Sequence, residues 1–218
     1  MKLNYLQLIL YYSLLLAVAG CTQVISSRAE MYQWINEPAN GLLQSKRVED
    51  LVFTMKYLPP AFLAEKEMRT QENHNLQVYD SLKSRHEGFY TFLLHFQVDD
   101  PNEAQAFSRD VMYEGAQSFQ HFQQRAMHLN FNMRDFITLN RKGESIQPAL
   151  SRLENTYSLT NSRHLYLVFD KKQMDLLPDD TAPLDIRFND ELFNTGIHHF
   201  VFHPSDLKKV PAISYLQL

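Results

Sequence analysis

The sequence predicts an α+β fold: an antiparallel or mixed sheet of about five to six strands with two or three helices packed on one side. Three observations carry this. Several separate runs alternate apolar with polar residues, as strands with one buried face do, and one longer tract between them repeats at about 3.6 residues. The order of these runs fits no regular βαβ alternation. With no fixed repeat, low-complexity tract or Pro/Gly-rich linker, residues 28–218 read as a single domain.

The chain opens with a short basic start, Met1-Lys2, and an apolar run from about Leu6 to Ala19. Small residues then precede the only cysteine, in Val18-Ala19-Gly20-Cys21. That run has the length of an export signal and not of a membrane span. Val18-Ala19-Gly20-Cys21 resembles the lipobox of bacterial lipoproteins. The resemblance implies that residues 1–20 are a signal peptide and that Cys21, acylated with diacylglycerol, becomes the new N-terminus. Several acyl chains on one residue give stable attachment where a single one does not. Residues 21–27 would then be a short lipid-anchored tether, leaving the body close to the bilayer.

Ser27-Arg28-Ala29-Glu30 has the form of a capping box and heads a helix carrying Met31, Trp34 and Ile35. Trp34, the only tryptophan, has two readings, an interfacial ring touching headgroups or a core anchor beside Ile35. Asn40-Gly41 supplies a turn. Leu51, Phe53, Met55 and Tyr57 then share one strand face, and the run stops at Pro59-Pro60, which cannot continue a ladder. Ala61 to Met68 is helical in pattern, and a charged stretch through Arg85 either extends that helix or loops out.

Tyr90, Phe92, Leu94, Phe96 and Val98 form one face of a strong strand, predicted to be central, that ends at Asp99-Asp100-Pro101. From Asn102 to Leu129 the helical period takes over, with Phe107, Val111, Phe119, Phe122 and Ala126 on one side and Gly115 dividing two helices. Strands return at Asp135–Leu139, Leu165–Phe169, Leu184–Phe188 and Ile197–Phe202, with turns at Asn140-Arg141-Lys142-Gly143 and Asp170-Lys171-Lys172.

Function is constrained mostly by exclusion. The full chain carries a net charge of −4, and loss of Lys2 with the signal makes the remainder more acidic, so no nucleic-acid partner is expected. No phosphate-binding Gly-rich loop, Gly-x-Ser-x-Gly elbow, His-Glu-x-x-His helix or calcium loop is present, and no cofactor is expected. With Cys21 committed to lipid, thiol nucleophiles and thiolate metal sites are excluded. Asp99-Asp100 reads as a helix-capping turn and Asp179-Asp180 as a loop between prolines.

The sharpest remaining cluster is His198-His199-Phe200-Val201-Phe202-His203. On a strand His199 and His203 face the same way about 13 Å apart, at ~3.3 Å per residue, too far to share one ion without a bend. A neighbouring strand carrying His164 or Asp185 would be needed to complete a site. His198, His199 and His203 therefore read first as strand residues and only second as metal or catalytic groups, and neither is assigned.

Tyr32-Gln33-Trp34-Ile35-Asn36-Glu37-Pro38-Ala39-Asn40-Gly41-Leu42, Met55-Lys56-Tyr57-Leu58-Pro59-Pro60 and Leu184-Asp185-Ile186-Arg187-Phe188 together resemble uncharacterised lipoproteins of the Bacteroidota. That resemblance spans most of the chain after Cys21 and implies no reaction, ligand or partner. It implies the outer membrane as address, since Thr22 is not the aspartate that retains lipoproteins in the inner membrane of enteric bacteria. Thr22-Gln23-Val24-Ile25-Ser26-Ser27 lacks the acidic residues of surface-exported relatives, which favours the periplasmic face. Two function classes follow. One is an envelope lipoprotein acting as an interaction or accessory domain of a larger envelope assembly, with a protein partner there. The other is a tethered hydrolase or carbohydrate-binding protein with a site on the late strands. A pocket of converging His, Asp and Tyr would favour the second, and an exposed apolar patch the first.

Overall fold

The computed structural model describes residues 24–70, 75–99, 109–155, 160–173 and 181–213. Residues 1–20, expected to be a signal peptide, Cys21, Asp100 to Ser108 and Asp179-Asp180 lie outside the described residues, as does the Phe107 end of the expected helical tract.

The fold is α+β. β2 (Leu43–Val48), β3 (Leu51–Tyr57), β4 (Phe89–Val98), β7 (Leu150–Leu153) and β8 (Arg163–Asp170) form one antiparallel sheet in the order β2-β3-β4-β8-β7, and burial alternates along β3 and β8. A second antiparallel sheet has the order β10-β9-β5-β6, from β5 (Ile137–Arg141), β6 (Glu144–Ile146), β9 (Leu184–Asp190) and β10 (Gly196–Phe202). Lys142 and Gly143, both at positive φ, make the tight β5–β6 hairpin turn, whose twist matches the strands it joins. β1 (Val24–Ile25) pairs in parallel with β11 (Ala212–Ile213).

The strands divide between two antiparallel sheets, one more than the sequence predicts, and their apolar faces meet. Phe53 and Phe96 of the larger sheet lie edge-on to Phe188 of the smaller at 5.8 and 5.9 Å, and Phe92 meets Phe202 at 5.0 Å. One contiguous core joins both. Period-2 alternation says that a strand has a buried face and is silent about which sheet buries it. β4 is the central strand of its sheet, and Phe92, Leu94 and Phe96 are completely buried.

Helices exceed the two or three expected. α1 (Arg28–Asn36), α2 (Pro60–Met68), α3 (Leu76–Glu87) and α4 (Phe119–Met127) are joined by the one-turn α5 (Met133–Phe136) and α6 (Pro204–Leu207). Ser27 caps α1 by accepting from the Glu30 amide, and the Glu30 carboxylate reaches back over the helix start, accepting from the Ser26 amide at 2.7 Å. Trp34 is packed in the core. The charged stretch before Arg85 is a separate helix, α3, capped by Asn75. Gly115 does interrupt the central tract, at φ +64, but residues 109–117 are irregular and the helix begins only after Ser118, whose hydroxyl accepts from the His121 amide. The expected strand from Asp135 begins two residues later, at Ile137, because Asp135 and Phe136 end the helical turn α5.

The two ends of the sandwich differ. At one end lie Tyr57, Pro59, Phe202 and α6, together with the β1–β11 pair. Gly41 packs there so closely against Asp206 that a Cβ would stand 2.6 Å from its carboxylate. At the other end the β2–β3 turn meets residues 109–117, with Arg109 bridging Asp50 and Glu114 and Arg163 holding Asp110 at 2.7 Å.

Candidate functional site

At this second end, α4 lies across the sandwich edge and is fastened by one buried cation. Arg125 donates to the main-chain carbonyls of Val111, Met112, Glu114 and Leu192 at 2.8–3.3 Å, and its guanidinium stacks 4.3 Å from the Phe193 ring. Five N–H donors in a planar fork suit such a ring of acceptors. Burial lowers the Arg125 pKa from its ordinary value, opposed by the charges of Asp190 and Glu114. Leu192 is itself presented by Asp190, whose carboxylate accepts from the amides of Leu192, Phe193 and Thr195.

After Met127 the helix widens into a π-turn, His128–Asn132. Such bulges cluster at functional sites, and this one shifts the register by one residue. On one flank of α4 a polar cleft of about 270 Å³ opens between Gln117, His121, Gln124, His128, Glu191 and Asn194. The His128 Nδ1 is buried there without a hydrogen-bond partner. Among the described residues no group of three His, Cys, Asp or Glu side chains is arranged to hold a metal ion.

Large apolar side chains also stand exposed along α4 and the π-turn, among exposed Gln120, Gln123 and Asn130. Phe119, Met127 and Phe131 follow one another at helical spacing, with Phe119 70% and Phe131 78% exposed. Tyr113, also exposed, stacks on Phe122 at 4.8 Å, and Phe122 on Phe119 at 6.0 Å. This aromatic ridge is carried by the helix that Arg125 ties to the carbonyls of residues 111–114 and 192. Isolated exposed apolar residues are ordinary, whereas several in one place mark a contact surface.

The late histidines are dispersed. His198 points into the core, 4.8 Å from the Phe53 ring, with its Nε2 2.7 Å from the Thr195 hydroxyl. Burial lowers its pKa, against the opposing charge of Asp190. His199 faces outward with its Nδ1 2.8 Å from Asp185, the partner considered from sequence, while His203 lies beyond the strand end as the residue before α6. His164 is on the other sheet, 4.6 Å ring to ring from His95 and 2.7 Å from Glu154. Asp99 pairs with Arg47 at the surface. Sequence reasoning passed over Arg125. Its signal was present, an arginine among Phe122, Ala126 and Leu129 on the apolar face of α4.

No family model matches the chain, and no curated protein matches it significantly. Among solved structures, the crystal structure of a protein of unknown function from Burkholderia pseudomallei aligns over 96% of this chain and 97% of that one, at 11% identity and a TM-score of 0.37. A likeness so distant carries no argument about this chain.

Proposed function

We propose that the chain is an envelope lipoprotein, held in the outer membrane by lipidated Cys21 and facing the periplasm, whose folded body is an interaction module for another envelope protein. The observation that carries this reading is the aromatic ridge of Phe119, Met127 and Phe131 with Tyr113 beside it. Three peptide steps separate Cys21 from Val24, a reach of about 10 Å, and Val24 pairs beside β11 at the end of the sandwich away from the ridge. Strands of seven residues put roughly 20 Å between those ends. A body anchored at Cys21 thus presents its apolar surface away from the bilayer and toward a protein. No helix among the described residues is long and apolar enough to cross a membrane. The hydrolase or carbohydrate alternative rested on the late strands, and the dispersal of His198, His199 and His203 gives it no support.

Two measurements test the two halves of the proposal. Cys21→Ser should release the protein from membranes, and intact mass should show a lipidated N-terminal cysteine in the parent. An unmodified N-terminus elsewhere removes the anchor. A photo-crosslinking residue at Phe131 should give one discrete adduct in living cells that the Phe119→Glu substitution abolishes, while the same residue at exposed Lys142 gives none. Equal labelling at both positions, or no adduct at Phe131, rejects the ridge as the contact surface.

A further inference from the structure

The outer face of the larger sheet brings two histidines together. Along β4 the core takes Phe92, Leu94 and Phe96, so His95 projects to the opposite side. β8 does the same, with Leu165 and Leu167 inward and His164 outward. The register sets the two histidines directly opposite each other, and their rings lie 4.6 Å apart, centroid to centroid, at a tilt of 53°. Residues paired in this way across an antiparallel ladder have Cβ atoms about 4.5–5.5 Å apart. Two imidazoles so placed can share one ion, which stands about 2.0–2.1 Å from each ligating nitrogen.

The surroundings prepare both rings as ligands. His164 directs its Nδ1 at the Glu154 carboxylate, 2.7 Å away, and the Glu154 amide donates to the His164 carbonyl at 2.8 Å. A neutral imidazole that donates through Nδ1 carries its lone pair on Nε2. A carboxylate behind the ring is the usual support of a metal-binding histidine. Burial holds His95 in the neutral form, with its pKa pushed down to about 4. Its ring nitrogens make no hydrogen bond among the described residues and are reached by solvent. One charge opposes a cation here: Lys56 acts on His95, although its ammonium is held by the Asn36 side-chain carbonyl. No third His, Cys, Asp or Glu among the described residues completes the set.

We propose that His95 and His164 form a two-imidazole site for a divalent transition-metal ion, with Glu154 positioning His164 and water filling the remaining positions. Imidazole suits copper, nickel and zinc, and of these Cu²⁺ is bound most tightly. The bound ion joins β4 to β8 and, by binding only the folded chain, stabilises it. The site depends neither on the anchor nor on the aromatic ridge.

The test uses the full chain, purified without a polyhistidine tag. It is titrated with copper(II) chloride and zinc chloride by calorimetry, and the copper-loaded protein is read by electron paramagnetic resonance. One ion per chain is expected, with two imidazole nitrogens on copper in the parent and one in His95→Gln or His164→Gln, each of which should weaken binding at least tenfold. Glu154→Gln should weaken it about tenfold by loosening His164, whereas Lys56→Gln, which removes the opposing charge, should tighten it. His199→Gln, on the other sheet, should bind as the parent does. Absence of stoichiometric binding overturns the site, as does parental affinity in the folded double variant of His95→Gln and His164→Gln. Loss of the ion in His199→Gln overturns it equally. Should a histidine variant not fold by circular dichroism, the opposed shifts of Glu154→Gln and Lys56→Gln decide, and unchanged affinity in both rejects the site.

Discussion

The side-chain amide of Gln44, on the edge strand of the larger sheet, is bonded to both main-chain groups of Val201, on the edge strand of the smaller. Its Oε1 accepts from the Val201 amide at 2.9 Å, and its Nε2 donates to the Val201 carbonyl. One side chain thereby stands in for a neighbouring strand and joins two sheets that share no ladder there. Gln44→Leu keeps the bulk but leaves the Val201 groups without this partner, at a cost of about 1–3 kcal/mol. Gln44→Asn should not rescue it, being one methylene too short. Urea unfolding of the three proteins decides the matter, and parental stability in Gln44→Leu would reject the bridge.

Phe92 sits where the two sheets meet, within ring contact of Tyr57, Phe169 and Phe202. Both sheets are fully formed around it, so the site has little room to collapse. Truncation by Phe92→Ala should cost roughly 3–5 kcal/mol, the range for large cavities in close-packed cores. Thermal or denaturant unfolding provides the measurement.

Arg125 satisfies four carbonyls that no shorter cation reaches together. Arg125→Lys should lose most of its hydrogen bonds while keeping the charge buried, and should destabilise by about 2–4 kcal/mol. Hydrogen exchange should rise first at residues 109–117 and 191–195, the loops whose carbonyls it holds. Uniform exchange across the whole molecule would mean that α4 is fastened by other contacts.

His95 makes stability depend on pH. Its pKa is pushed down to about 4, first by burial and then by the positive charges of His164 and Lys56. Unfolded imidazole titrates near 6.5. Between these values the unfolded chain binds a proton that the folded chain refuses, so stability is complete above about pH 6.5 and is lost as pH falls toward 4. With a discount for the solvent that reaches the ring, the loss is ~1–2 kcal/mol. His95→Gln should flatten the unfolding free energy over that window, and His198, lowered in the same direction, should account for part of what slope remains. A profile unchanged by His95→Gln would place the dependence elsewhere.

Much of the fold was legible because periodicity and capping are local. The face of Phe92, Leu94 and Phe96, the Ser27 cap and the break at Pro59-Pro60 follow from backbone geometry within a few residues. β2, β6 and β7 were not seen as strands: they lie at or near sheet edges with mostly exposed side chains, so little alternation marks them. The ridge was half legible. Phe119 and Phe122 were read as one apolar face, but Phe122 packs partly against the core while Phe119 stands in solvent. No spacing rule separates the two residues, because the insertion of Arg125 sets the rotation of the helix.

What the sequence by itself determined is the α+β class, the buried face of each strong strand and the expectation of an anchor at Cys21. The tertiary structure decided how the strands divide between two sheets, which histidines meet, and where apolar surface is left open. The reason is range. Alternation is a property of one strand, whereas Gln44 and Val201 meet across 157 residues, and His95 pairs with His164 only because β4 and β8 adopt one register among several that would bury the same faces.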